Sequence, residues 1–228
     1  MTGTGTDIGK TVVTTLLADF LSVNGRRIFP YKPIQTGAEK EDGRLLAPDP
    51  EIYKFLDLEH PDKHYTYLLE TPSSPHLAAT KENIVYDFAK IYAHINALQN
   101  QYDGIVAEGA GGLYVPITEE GYCMIDLMKE LSFPVILVAE AGLGTINHTV
   151  LSIKALEACE IPIAGIILNG TGREGRSLEL DNRKMIERLT ELSIAGTVPF
   201  EADIKQQLKR NESRAKLTKD WNRKIIEG

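Results

Sequence analysis

Met1–Val12 reads MTGTGTDIGKTV, and this stretch decides the fold. Gly9-Lys10-Thr11 closes a glycine-rich turn and runs directly into a segment with helical spacing. A turn of this kind presents successive backbone N–H groups to an anion at the positive end of the following helix. Lys10 is then placed to reach the β- and γ-phosphates of a nucleotide, and the Thr11 hydroxyl to hold Mg²⁺. The common phosphate loop has four residues between its first glycine and the Gly-Lys pair, whereas five separate Gly3 from Gly9, so this is a variant loop.

Working outward, Val12, Val13, Leu16, Leu17, Phe20 and Leu21 recur at three- and four-residue spacing. Lys10–Asn24 therefore reads as an amphipathic helix stopped by Gly25. Arg27–Lys32 reads as a short strand that delivers Lys32 at its carboxyl end, although Pro30 cannot donate to a ladder. Residues 37–83 are polar and proline-rich without a sustained period, the mark of a functional excursion. Helical spacing returns at Phe88, Ile91, Tyr92, Ile95 and Leu98, and Gly104–Ala107 reads as a strand ending at Glu108. Beyond it the pattern predicts a helix over Met124–Leu131, a strand over Pro134–Ala139, a helix over Thr145–Cys159 and a strand over Ile163–Leu168. A Gly/Arg-rich loop at Thr171–Ser177, a helix over Leu180–Leu192 and a last strand at Gly196–Val198 complete it. Strands apolar on both faces, alternating with helices, imply a mainly parallel sheet covered on both sides: a single-domain α/β, P-loop NTPase-like, three-layer fold. Lys205–Glu227 carries eight Lys/Arg against three Asp/Glu, and its few apolar positions, Leu208, Leu217, Trp221, Ile225 and Ile226, suggest a solvated terminal helix.

The 228 residues are 43% hydrophobic and 25% charged, the profile of a globular chain able to bury a full core. A net charge of −7 argues against a duplex nucleic-acid partner, and no nucleic acid is expected. The two cysteines, Cys123 and Cys159, have no Cys or His at ligand spacing, so neither a disulfide framework nor a zinc site is implied. No apolar run reaches membrane-spanning length and no signal-peptide pattern is present, so no membrane partner and a cytoplasmic location are expected.

Ligands of open parallel sheets collect beyond the carboxyl ends of the strands, and Lys10, Thr11, Lys32, Glu108 and Asn169 all fall there. A glutamate ending an apolar strand is costly to bury unless it meets a cation. A Mg²⁺ shared with Thr11 removes that difficulty, with Asp49 as a further candidate carboxylate.

The residues resemble the dethiobiotin synthetase family along nearly the whole chain. The resemblance rests on GTGTDIGKT at Gly3–Thr11, YKPIQTG at Tyr31–Gly37, SSPH at Ser73–His76 and VAEGAGGLYVP at Val106–Pro116. It continues with PVILVAEAGLGTINH at Pro134–His148, GIILNG at Gly165–Gly170 and GTVPF at Gly196–Phe200. It implies an ATP-dependent ligase of biotin biosynthesis: 7,8-diaminononanoate takes up CO₂ as a carbamate, ATP phosphorylates the carbamate, and the second amine closes the ureido ring with loss of phosphate. The family pattern further implies that Asp7, Ile8, Gly9, Lys10, Thr11 and Val12, with Gly109, Ala110 and Gly111, surround ATP. By the same resemblance Thr11, Asp49 and Glu108 bind Mg²⁺, and Lys32 joins Lys10 as a catalytic cation. Asn169, Gly170, Pro199, Phe200 and Glu201 would receive adenine. Thr6, Thr36 and Gly111 would meet the diamine, and Thr145, Ile146 and Asn147, a glycine turn opening a helix, would meet its distant carboxylate. In the family that turn comes from a neighbouring subunit, so a homodimer with shared sites is implied.

Two departures from the family stand out. Gly5 occupies a position usually acidic. Only Met1 and Thr2 precede Gly3, where a phosphate loop normally hangs from a strand of about five residues; the natural chain is therefore expected to start upstream, with a gap at the centre of the sheet. A partitioning ATPase of the same variant-loop class is the rival reading, but its signature lysine would stand at Gly5. A glutamine-dependent amide-transfer synthetase would need a further domain for which 228 residues leave no room.

Overall fold

The computed structural model describes residues 1–58 and 63–222. Its strands are β1 (Thr2–Gly3), β2 (Ile28–Gln35), β3 (Glu39–Glu41), β4 (Arg44–Leu46), β5 (Tyr65–Leu68), β6 (Gly104–Ala107), β7 (Val135–Glu140), β8 (Ile163–Thr171) and β9 (Ile194–Pro199). The helices are α1 (Lys10–Val23), α2 (Pro48–Tyr53), α3 (Pro75–Glu82), α4 (Phe88–Gln99), α5 (Met124–Leu131), α6 (Thr145–Ala158), α7 (Arg176–Thr190), α8 (Ile204–Leu208) and α9 (Asn211–Leu217).

Two parallel half-sheets, β5-β2-β6 and β1-β7-β8-β9, meet at one residue. The Met1 amino group donates to Ala107 O at 2.7 Å and the Gly109 N–H donates to Met1 O at 3.0 Å, so Met1 stitches β6 to β1. The loop follows β1, whose Thr2 and Gly3 pair with Leu137 and Val138 of β7. Below Met1 the edges of β6 and β7 part, leaving a groove of about 390 Å³ lined by Ile28, Gly104, Val106, Phe133 and Ile136.

Strand alternation sorts the core into two layers. Ile28, Val106, Ile136, Val138 and Ile167 pack with Val13, Leu16, Leu17 and Leu21 of α1. Their neighbours Phe29 and Tyr31 pack with Ile91, Ile95 and Leu98 of α4, and Leu137, Ala139, Ile166 and Leu168 with Ile153 and Ile186 of α6 and α7. This is the expected three-layer α/β arrangement with a parallel sheet. Lys32 has the parity of Ile28 and Asn169 that of Ile167, so both side chains belong to the α1 side.

Strand β2 extends past the predicted Lys32 to Gln35 and is wholly buried, despite Pro30 and Pro33. Their positions explain the tolerance. Lys32 N donates to His64 O on the β5 side and Tyr31 O accepts from Glu108 N on the β6 side. By alternation Pro30 faces β5, which pairs only from Lys32 onward, and Pro33 faces β6, which has ended at Ala107. Neither missing N–H removes a ladder bond.

The excursion over 37–83 is more ordered than its composition predicts. It contains the β3–β4 hairpin, α2, α3 and a sheet strand, β5, whose YTYL sequence carries the aromatic and β-branched signal of a strand. The Gly/Arg-rich loop is shorter than predicted, since Thr171 ends β8 and Arg176 begins α7. The carboxyl-terminal segment is not a solvated helix. It forms α8 and α9, and buries Leu208, Leu217 and Trp221 against α1; Arg214, 3% exposed, pairs with Asp19 at 2.8 Å. The predicted apolar positions Ile225 and Ile226 lie outside the described residues.

Candidate active site

The loop ends at Gly9, which holds φ +89° as it caps α1. A side chain there would collide with the Asn169 amide, so glycine is required twice over, by conformation and by space. Asp7 also takes a left-handed φ of 59°. Lys10, in the first turn of α1 and 7% exposed, donates from Nζ to Gly5 O at 2.6 Å. Burial pulls its pKa below the ordinary lysine value and Glu108 partly restores it. An arriving phosphate would supply the counter-charge that a backbone carbonyl does not.

Beside the loop, Thr11, Lys32, Asp49 and Glu108 converge from α1, β2, α2 and the end of β6. Thr11 Oγ1 lies 2.8 Å from Asp49 Oδ1 and 3.0 Å from Glu108 Oε1. Lys32 Nζ donates to Asp49 Oδ2 and, at 3.1 Å, to Glu108 Oε1. Lys32 and Glu108 are 6% and 1% exposed. Burial alone would depress Lys32, but Glu108 and Asp49 outweigh it and hold the ammonium above its usual pKa. Burial would raise Asp49, but the Lys32 charge and hydrogen bond hold its carboxyl below the usual range.

The donor set suits a magnesium ion. A hydroxyl has one proton, so Thr11 can satisfy only one of the two carboxylate oxygens that crowd it. Asp49 and Glu108 also supply hard, anionic oxygen ligands beside that hydroxyl. The described residues contain no cluster of three or more His, Cys, Asp and Glu, but Mg²⁺ needs only one or two carboxylates, taking the rest from water and phosphate oxygens.

A groove of about 560 Å³ opens over this cluster, lined by Thr6, Asp7, Lys32, Thr36, Ser73 and Gly111, among others. Thr6, Thr36 and Gly111, predicted to meet the substrate, therefore share one cavity with Lys32 and Asp49. Ala110 lines it too, while Gly109 packs beside Met1 and Met124. Asn169, predicted to read a base, also belongs to the loop: its Nδ2 donates to Ile8 O at 2.9 Å. Gly170 follows it at φ 82°, and Phe200 beyond β9 is half exposed under the Arg173 guanidinium, 5.1 Å from its ring centre. Thr145, Ile146 and Asn147 begin α6 outside the groove. At that turn Leu143 N–H is engaged by Glu174 Oε2 at 3.2 Å, and Leu143 is 85% exposed.

Sequence reasoning missed Tyr53. Its phenol donates to Glu108 Oε2 at 2.5 Å from a fully buried position, and burial, then the Glu108 charge, push its pKa well above the ordinary value. The available signal was its place one helical turn after Asp49.

A glycine loop between a parallel strand and the helix begun by Lys10 and Thr11, facing two carboxylates, defines a P-loop nucleotide-binding protein. Residues 1–208 match the family model described as AAA domain. The chain is 46% identical over 225 residues to the ATP-dependent dethiobiotin synthetase of Halalkalibacterium halodurans, covering 98% of this chain and 93% of that one. It is 41% identical over 208 residues to that of Anoxybacillus flavithermus, with 91% and 93% covered. The chain belongs to the dethiobiotin synthetase family and is an ATP-dependent ligase. Its fold is shared with a ParA family ATPase from Chlorobium tepidum, at TM-score 0.56, 16% identity and 100% and 95% coverage. The septum site-determining protein MinD of Pyrococcus horikoshii, complexed with Mg-ADP, gives TM-score 0.56, 17% identity and 100% and 89% coverage. At such identities the likeness concerns the fold alone.

Proposed function

We propose that this chain carboxylates and cyclises 7,8-diaminononanoate to dethiobiotin at the cost of ATP, as a step of biotin biosynthesis. The observation that carries the reading is Lys32, a second buried cation beside the phosphate loop, in the groove that also opens on Thr36 and Ser73. A nucleotide switch needs the loop lysine; a cation placed toward an acceptor groove serves transfer to that acceptor.

In this reading an amine of the substrate, held near Thr6, Thr36 and Gly111, forms an N–C bond with CO₂ and loses a proton, giving a carbamate. A carbamate oxygen attacks the γ-phosphorus, and the bond to the β-phosphate oxygen breaks with release of ADP. The second amine attacks the carbamate carbon and loses a proton, the carbon–oxygen bond to phosphate breaks, and the ring closes with release of phosphate. Lys10 turns from Gly5 O to the β- and γ-phosphates, and the N–H groups of Asp7–Val12 with Gly109-Ala110-Gly111 surround them. Lys32 balances charge on the carbamate and on the equatorial oxygens during transfer. Thr11, Asp49 and Glu108 would hold magnesium, which would supply Lewis-acid stabilisation of the phosphate oxygens. Asn169, Gly170 and Pro199-Phe200-Glu201 receive adenine. Thr145-Ile146-Asn147 of a second subunit receive the substrate carboxylate, so the working unit is a homodimer, in the cytoplasm.

The test is phosphate release from ATP with and without diaminononanoate and bicarbonate. A large increase on adding both is expected; release unchanged by either would refute the ligase reading.

A further inference from the structure

We propose that Tyr53 is a positioning residue that fixes the orientation of the Glu108 carboxylate for a divalent cation. This rests on Glu108 being a metal carboxylate in the function above. The two oxygens of Glu108 have different neighbours: Oε1 faces Thr11 and Lys32 at 3.0 and 3.1 Å, and among the described residues Oε2 is hydrogen-bonded by the Tyr53 phenol alone, at 2.5 Å. The terminal torsion of a glutamate is broad, so nothing intrinsic to the side chain decides which oxygen turns to the loop. A single donor on Oε2 decides it and leaves Oε1 for the cation.

The donor is itself held rigidly. The Tyr53 ring meets His64 edge-on at 5.4 Å, and His64 stacks on Phe29 at 4.4 Å with an interplanar angle of 14°. His64 Nδ1 lies 2.7 Å from Pro30 O. A chain of packed rings thus runs from the core of β2 to the carboxylate. Helix α2 adds a second constraint, because Asp49 and Tyr53 stand at i and i+4 on one face. One short helix presents the first carboxylate as its own side chain and orients the second through a phenol, so both are set by the seating of α2. Partners that orient a metal ligand in this way typically account for 10–100-fold in metal affinity.

The experiment is Mn²⁺ titration, followed by electron paramagnetic resonance, of the full chain with a non-hydrolysable ATP analogue. It compares wild type, Tyr53→Phe, Glu108→Gln and the double variant. Tyr53→Phe is expected to weaken Mn²⁺ about tenfold, with nucleotide affinity in EDTA unchanged. The double variant should bind no more weakly than Glu108→Gln alone. Unchanged Mn²⁺ affinity in Tyr53→Phe, or an equal loss from it in the Glu108→Gln background, overturns the proposal by showing no role or mere packing. Should Tyr53→Phe not fold, Glu108→Asp keeps the charge and the phenol but cannot reach Thr11 and Tyr53 together. It is expected to show a comparable loss, and wild-type Mn²⁺ affinity there overturns the proposal too. Neither diamine nor bicarbonate is present, so failure of the ligase reading would leave this result standing.

Discussion

The Asn169 side-chain nitrogen donates to the Ile8 carbonyl at 2.9 Å and fills the space where any side chain on Gly9 would stand. A residue at the end of β8 thereby sets the curvature of a loop that begins more than 150 positions earlier. Asn169→Ala removes that bond, worth about 0.5–1.5 kcal/mol, and is expected to weaken both ATP and inorganic tripolyphosphate binding by roughly 2–10-fold. Fluorescence titration with the two ligands is the check. A loss confined to ATP would mean that Asn169 serves the base alone. Gly9→Ala should be worse, because it adds positive-φ strain of about 1–3 kcal/mol to the collision, and Asn169→Ala should rescue it only in part.

Lys10 and Lys32 should fail differently when replaced by alanine. In the proposed function Lys10 meets phosphates already present in ATP, so Lys10→Ala is expected to weaken nucleotide binding and turnover together. Lys32 there meets the charge that develops on transfer, so Lys32→Ala should lower kcat by roughly 10²-fold or more with ATP affinity kept. Calorimetry with steady-state kinetics separates the two, and abolished ATP binding in Lys32→Ala would refute the division.

The Lys32–Asp49–Glu108 cluster makes stability depend on pH in a defined sense. Asp49, held below its usual pKa, contributes stability that is complete above the ordinary carboxylate range and is lost as pH falls through its folded value. Lys32, held above its usual pKa, contributes stability that is complete up to its ordinary value and is lost as pH rises through the folded one. Lys32→Met leaves two carboxylates without their buried cation, a cost of roughly 3–5 kcal/mol near neutrality. Urea unfolding in EDTA should show that gap narrowing as the pH falls and the carboxylates take up protons. A gap independent of pH would show that the ion pairs do not carry it.

Shared sites predict complementation. Ile146 is the second residue of α6, where proline is tolerated but removes an amide donor. Homodimers of Lys32→Ala and of Ile146→Pro should each be nearly inactive. Mixed, they form a heterodimer in which one site retains both Lys32 and an intact turn, and activity should return toward half that of wild type per heterodimer. A mixture that stays inactive after verified subunit exchange would show that each chain serves only its own site.

What could be read from the sequence followed from periodicity. Helix α5 and the strands β6, β7 and β8 declared themselves because their apolar positions keep one period from end to end. Strand β5 did not, since four half-buried residues after an irregular stretch show no period, and their aromatic and β-branched composition was the one signal they carried. Helix α2 was hidden by Pro48 and Pro50, which suit a first helical turn but read as breakers in isolation. Without α2, Tyr53 could not be placed beside Glu108. The convergence of Lys10, Thr11, Lys32, Glu108 and Asn169 was legible because strand ends and a helix start locate them with little help from the loops, whereas Asp49, on the hidden α2, was placed by the family resemblance. The burial of Trp221 was not, because its ring packs on Gly196 and its Nε1 donates to Thr197 O at 3.0 Å, contacts across the chain that leave no local pattern.

The boundary between the two half-sheets also divides the site. Lys32, Asp49 and Glu108 ride on β2, α2 and the end of β6, while the loop and Asn169 ride on β1 and β8. Between them run the Met1 bonds and the apolar face of α1, which packs on Ile28 and Val106 of one half and on Ile136, Val138 and Ile167 of the other. In the proposed function a nucleotide held by the loop and, through magnesium, by Thr11, Asp49 and Glu108 would bridge the two half-sheets.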